Sequence, residues 1–274
     1  MLKEYSDFYS QASAILQRVE ETLEDLQFDE RKQAVEVFAA QAVSMCQGHC
    51  RAISLLLDAD LFTDSIAICR SLFELCFNLL WINSTTDEAE RLARAYKLEG
   101  DTYFHFSKEV KLFEVDVNSE SPLTSRERLR EINEWLEQAK QDSPYLTAST
   151  ANGRVEFAHA PPLTERMGQQ LRLQYYHIYR FMCLFTHPSP FLRDLYLQHT
   201  GRSESPRELA EEPLKRVLSY TLLFVEMVAG NAAKLMLPHA ADRTSIVQRC
   251  YDELFEITER ANKGYFATAG HKRI

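Results

Sequence analysis

The chain has 274 residues, of which 45% are hydrophobic and only 8 are glycine and 9 proline, and its formal net charge is −9. A chain of this length buries about 75% of its unfolded surface, so neither disulfides nor a structural metal are needed for stability. The composition is that of a globular protein rather than a disordered one. The negative charge disfavours non-specific nucleic-acid binding by the surface as a whole, but not by a local basic groove.

Local charge singles out one region. Residues 164–203 hold five arginines against Glu165 and Asp194, whereas residues 1–60 are acidic. We therefore expect any anion-binding surface to involve residues 164–203.

No secretory signal or membrane span is predicted. The opening "MLKEYSDFYSQ" lacks a basic start followed by an apolar run. The longest apolar stretch, residues 217–237, is interrupted by Glu226, Asn231 and Lys234, so we interpret it as a core helix. We expect a cytoplasmic protein that does not bind a membrane. Its six cysteines should stay reduced.

Apolar residues recur at helical spacing along nearly the whole chain, and convincing alternating strands are absent. The predicted helices cover about residues 4–26, 30–57, 63–82, 87–113, 121–140, 165–186, 206–237 and 242–262. A tight turn is expected at 58–60 and a long, functional or mobile loop at 142–164. The sequence thus predicts an all-α protein, a single helical bundle of seven or eight helices over residues 1–264, with a loose tail at 265–274.

The predicted third helix carries a narrow polar stripe. Arg70, Glu74 and Asn78 are four residues apart and lie on one side, while the other positions of "CRSLFELCFNLLWI" are largely apolar. A helix that is apolar all round is normally buried. The stripe should then point into the bundle, where its charges need partners.

The predicted sixth helix repeats this design. Within "YYHIYRFMCLFTH", the polar residues His177, Arg180 and His187 fall within about 80° of one another on a helix. We expect the two stripes to face each other. Glu74 would then be shared by Arg70 and Arg180, all three buried and in contact, with His187 at the rim.

Two interpretations of this cluster remain open. It is either a structural ion-pair network that fixes helix register, or a functional site. In the functional case, forked guanidinium groups would bind a phosphate, and an imidazole would act as acid or base near neutral pH.

The segments "CRSLFE" and "YRFMCLFTHPS" together resemble a bacterial all-helical family of unknown function. In that family, one helix bears Arg-x-x-x-Glu and a later helix bears Tyr-Arg followed by His-x-Ser. The matching positions here are Arg70, Glu74, Tyr179, Arg180, His187 and Ser189. The resemblance covers roughly residues 30–240.

The chain is also similar to HEPN domains, helical bundles in which an Arg-x(4–6)-His motif often forms a metal-independent ribonuclease site within a dimer. This resemblance implies RNA or a nucleotide as ligand, a homodimer and no cofactor. Arg180 would hold the scissile phosphate and His187 would move a proton. The spacing occurs four times in the chain, at 154/159, 172/177, 180/187 and 193/199. We prefer Arg180/His187 because it lies on the polar stripe that faces Glu74.

The remaining predicted binding residues are Arg70, Glu74, Asn78, His177 and Ser189. The alternative is a non-catalytic bundle that binds a small anion or a partner protein, with the loop at 142–164 as a lid. A nuclease must expose Arg180 and His187 in an open groove, whereas a small-ligand protein would enclose them in a pocket.

Cys46, His49 and Cys50 share one face of the predicted second helix and form a candidate zinc site. Sulfur and imidazole suit zinc. However, cysteines are common core residues and the sequence contains no Cys-x-x-Cys pair, so we predict no metal. If the second and third helices form an antiparallel hairpin, Cys50 should lie level with Cys69.

Overall fold

The computed structural model describes residues 2–24, 26, 33–101, 130, 133–134, 137–138, 140–141, 144–149, 152, 155–166, 175–186, 206–236, 238 and 241–263. Within these ranges the chain is almost entirely helical, which confirms the predicted all-α class.

The helices are α1 (Leu2–Leu23), α2 (Ala34–Asp58), α3 (Phe62–Asn83), α4 (88–101, as far as it is described), α5 (Leu163–Arg166), α6 (Arg180–Thr186), α7 (Pro206–Met236) and α8 (Thr244–Ala261). A π-helical segment, Tyr175–Tyr179, directly precedes α6. Most of these bounds lie within a few residues of the predicted ones. The predicted turn between α2 and α3 is confirmed, with Asp60 in the left-handed region (φ 59°) that aspartate tolerates.

The predicted loop at 142–164 is wrong in part, because it contains a short hairpin. A 3-10 turn, Pro144–Leu146, leads into a hairpin of β1 (Thr147–Ser149) and β2 (Val155–Phe157), paired antiparallel with Thr147 opposite Phe157. Each strand has only three residues, which is too short for an alternating pattern to be visible in the sequence. Leu146 is fully buried, and its carbonyl accepts a bond from the Ala158 N–H at 2.9 Å.

The chain divides into two compact units. The major unit comprises residues 1–28, 36–80 and 163–274, and the minor unit comprises residues 29–35 and 81–162. The single domain over residues 1–264 stays a prediction. In the major unit α1 packs along α8, and α7 packs against both helices.

α3 and α7 both contribute large side chains to the interior of the major unit. Leu72, Phe73 and Phe77 of α3 are buried, as are Phe224 and Val225 of α7. The prediction that residues 217–237 form a core helix is therefore confirmed for the part that α7 covers. Among the described residues, only α3 is long and apolar enough to cross a membrane, and more than half of that stretch is buried, as in the core helix of a globular protein.

Candidate functional site

The polar stripe of α3 lies at the edge of the core. The Arg70 and Glu74 side chains retain 27% and 42% of their accessible surface, and their side chains form an i, i+4 ion pair at 3.2 Å. The expectation that these charges are buried is therefore wrong. Because the stripe is narrow, α3 can bury its apolar positions and still keep these charged ends in contact with water.

Tyr179 joins the two charges of the stripe. Its hydroxyl donates to Glu74 Oε1 at 2.7 Å and accepts from Arg70 Nη2 at 2.9 Å and Nε at 3.1 Å. The Arg70 guanidinium also lies over the Tyr179 ring, 5.2 Å from its centroid. Arginine, tyrosine and glutamate thus form a closed three-residue network, which we call the Tyr179 network.

The ring of Tyr179 is packed into the core behind this network. It stacks on Phe73 at 5.0 Å between centroids, and Phe73 in turn meets Phe224 edge to face at 4.9 Å. Burial raises the pKa of Tyr179 well above its ordinary value, and the hydrogen bond to Glu74 raises it further. The hydroxyl therefore stays protonated across the physiological range and remains a donor to Glu74.

Arg180 is the first residue of α6, immediately after the π-helical segment that ends at Tyr179. Ile178 and Tyr179 are buried, whereas His177 and Arg180 are exposed. The prediction that Arg180 is buried is thus wrong, and it is Tyr179, the residue before it, that contacts both Arg70 and Glu74. The signal in the sequence was the tyrosine itself, because a buried tyrosine hydroxyl requires a partner.

Asn78, the third residue of the stripe, contacts Arg166, which precedes the π-helical segment in the chain. Its side-chain oxygen accepts a hydrogen bond from Arg166 Nη1, at the end of α5. The α3 stripe therefore holds residues at two positions, Arg166 and Tyr179. Arg166 was not among the predicted site residues.

The model of a family of unknown function, DUF5677, matches residues 36–204, which is more than half of the chain. The chain belongs to the DUF5677 family. This match confirms the resemblance to a helical family of unknown function, and the DUF5677 region contains every predicted site residue, from Arg70 to Ser189. No curated protein and no solved structure matches the chain.

His187 and Ser189 lie outside the described residues, so their roles stay predictions. The described part of the chain contains an open cavity of about 470 Å³, but it lies on α1 and α2 and is lined by residues outside the predicted site: Gln17, Glu20, Glu21, Glu24, Gln47 and Arg51.

The cysteines of α2 and α3 are core residues. Cys46, Cys50 and Cys69 are fully buried, and burial raises the pKa of the Cys69 thiol to about 12. Cys50 influences this pKa, in agreement with its predicted position level with Cys69. Within the described ranges, no three His, Cys, Asp or Glu residues come together as a metal site, so the geometry does not support zinc at Cys46, His49 and Cys50.

The minor unit contains a contact that the sequence did not predict. His159 Nδ1 lies 2.7 Å from Asp101 Oδ1, which joins the chain just after β2 to the end of the described part of α4. Just before β1, the Tyr145 hydroxyl donates to Asp87 at 3.2 Å. Both contacts are on the surface and attach the hairpin segment to the chain that forms α4.

Proposed function

We propose that this DUF5677 protein is a metal-independent ribonuclease of HEPN type, in which Arg180 binds the scissile phosphate and His187 transfers the proton. The observation that supports it is the exposure of Arg180 beside the buried, hydrogen-bonded Tyr179. An exposed guanidinium held next to an anchored residue is accessible to a polymer, whereas a small-ligand site normally encloses its polar groups.

The residue types suit this chemistry. A guanidinium presents forked donors that match two phosphate oxygens, and it stays charged at every physiological pH. An imidazole exchanges a proton near neutral pH, so His187 would take the proton of the 2′-hydroxyl as that oxygen attacks the phosphorus, and the bond to the 5′-oxygen would break with that oxygen taking up a proton. This step uses neither a metal nor another cofactor. His177, exposed three residues before Arg180, would be a further contact to the RNA backbone.

We further propose that the protein forms a homodimer. A two-fold axis would place two copies of the Arg180 surface on one assembly and so widen the groove for RNA. The local excess of arginine over acidic residues at 164–203 would attract RNA in spite of the overall charge of −9.

The test uses end-labelled single-stranded RNA with EDTA present throughout. We expect the wild-type protein to cleave it, and His187→Ala to bind it with unchanged affinity but leave it intact. Arg180→Ala should lose affinity as well as activity. His159→Ala is the matched control, since it removes a histidine from the minor unit and should cleave like wild type. Intact RNA with the wild-type protein would refute the ribonuclease.

A second candidate is a non-catalytic protein whose Arg180 surface binds a small anion or a partner protein. The closed Tyr179 network favours it, because Arg70 and Glu74 already satisfy each other through Tyr179, as in a structural network. A thermal-shift screen of nucleotides and inorganic anions tests it. A ligand at 100 times its dissociation constant adds about 2.7 kcal/mol of stability, and Arg180→Ala should abolish that gain.

A further inference from the structure

The three residues of the α3 stripe contact the chain between α5 and α6 at two positions, Arg166 and Tyr179. Asn78 binds Arg166 at the end of α5, and Arg70 with Glu74 binds Tyr179 at the end of the π-helical segment. Both groups of contacts lie within the major unit. The rotation of the π-helical segment is therefore set by α3 at the residue directly before Arg180.

The contacts of Tyr179 with α3 fall at the last residue of a π-helical segment. π-helical turns are rare and are frequently found at functional sites. Here the hydroxyl of Tyr179 makes three hydrogen bonds, and its ring lies between Arg70 and Phe73. These contacts hold Tyr179 inward, while Arg180, the next residue, is exposed.

We propose that Tyr179 is a positioning residue, whose hydroxyl, held by Arg70 and Glu74, fixes the direction in which Arg180 meets the RNA backbone. This inference rests on the proposed function. It assigns the α3 stripe a role in binding without any contact to RNA, and it explains why an arginine, a glutamate and a tyrosine occupy the edge of an otherwise apolar helix pair.

Positioning differs from a purely structural role in one measurable way. If Tyr179 acts through Arg180, the two substitutions are coupled, because removing Arg180 leaves Tyr179 nothing to position. If Tyr179 only stabilises the fold, the two effects on RNA affinity are independent. A misplacement of about 1 Å can cost on the order of 100-fold in function, so the coupling should be readily measured.

The experiment is a double-mutant cycle of Tyr179→Phe and Arg180→Ala, both in a His187→Ala protein so that RNA stays intact. The affinity for fluorescein-labelled single-stranded RNA is measured by anisotropy between about 50 and 200 mM salt. We expect each substitution to weaken binding about tenfold and the double variant to bind like Arg180→Ala alone. Either should lower the magnitude of the salt slope by about 0.7, the value for one phosphate contact on a single strand.

Two further variants make the outcome interpretable. Tyr145→Phe also removes a hydroxyl that donates to a carboxylate, but in the minor unit, and it should change neither affinity nor slope. Arg70→Lys keeps the charge while losing the forked donors, and it should be coupled to Arg180→Ala in the same way. If Tyr179→Phe does not fold, the cycle of Arg70→Lys with Arg180→Ala tests the positioning role instead.

Independent effects of Tyr179→Phe and Arg180→Ala, or an unchanged salt slope in a folded Tyr179→Phe protein, would overturn the positioning role. Failure of the His187→Ala parent to bind RNA would overturn both this inference and the proposed function. Coupled binding without cleavage by the wild-type protein would leave the positioning role established and refute only the ribonuclease.

Discussion

At the scale of single residues, Glu226 is the buried carboxyl that the site does not use. It lies on α7 with 7% of its surface exposed, and the Tyr251 hydroxyl donates to its Oε1 at 3.2 Å. Its Oε2 is buried and has no hydrogen-bond partner among the described residues. Burial raises the pKa of Glu226 above its ordinary value because the charged form is desolvated, and this outweighs the hydrogen bonds of Tyr251 and Thr258, which lower it.

The substitution Glu226→Gln should change how the free energy of unfolding depends on pH. With its pKa raised in the folded state, Glu226 contributes its full stability below the unfolded-state pKa of about 4.5, and that contribution is lost as the pH rises through the folded-state pKa. The variant has no ionisable group at position 226, so its free energy of unfolding should increase relative to that of wild type as the pH rises. Urea unfolding at a series of pH values measures this.

The control for that comparison is Glu256→Gln, an exposed carboxyl on the neighbouring helix α8. It should follow the wild-type pH dependence. If the difference between Glu226→Gln and wild type is the same at every pH, Glu226 does not titrate as its burial implies.

At the scale of the helices, Gly48 and Gly230 both lie within a helix but differ in their surroundings. Gly48 lies in α2, where an added Cβ would find no atom within 4 Å. Gly230 lies in α7, where the same atom would come within 2.9 Å of Tyr251 Cε2 on α8. The missing side chain at Gly230 therefore lets α8 approach α7 closely, which is consistent with the extensive packing between these helices.

The pair Gly48→Ala and Gly230→Ala tests this difference. An alanine in a helix interior is about 1 kcal/mol more favourable than glycine, and Gly48→Ala should gain most of that. Gly230→Ala should gain less or be destabilised, because the Tyr251 ring must shift from its contact with Glu226. Chemical denaturation gives both free energies of unfolding. Equal stabilisation by the two substitutions would show that the helices are not closely packed at Gly230.

At the scale of the whole molecule, the cysteines report on the integrity of the core. All six are free thiols, five are buried and Cys183 is half-buried. All of them belong to the major unit. Burial keeps a thiol unreactive both by blocking access and by raising its pKa, as for Cys50, Cys69 and Cys76.

Thiol labelling of the native protein should therefore modify one site quickly. We expect Cys183 to react first and the other five to react only at the rate at which the major unit opens, while all six react in denaturant. Mass spectrometry after timed labelling counts the modified thiols. Cys183→Ser should remove the fast phase. A native protein with several fast thiols would contradict the buried core described above.

The sequence alone determined the fold class, most helix bounds and the position of the α3 stripe. These features follow from local periodicity, since 3.6 residues per turn already separates the apolar side of a helix from Arg70, Glu74 and Asn78. The tertiary structure decided which partner meets that stripe. The polar residues of the predicted sixth helix were expected to face α3, but in the packed chain Tyr179 contacts Arg70 and Glu74 and Arg180 is exposed.

Long-range contacts were equally beyond the sequence. His159 and Asp101 are 58 positions apart, and Asn78 and Arg166 are 88 apart, so no local pattern connects either pair. The hairpin at 147–157 was missed because each of its strands has only three residues. Periodicity shows which side of an element is apolar, but only the packed chain determines which polar side chains meet, because that depends on how distant elements are rotated against one another.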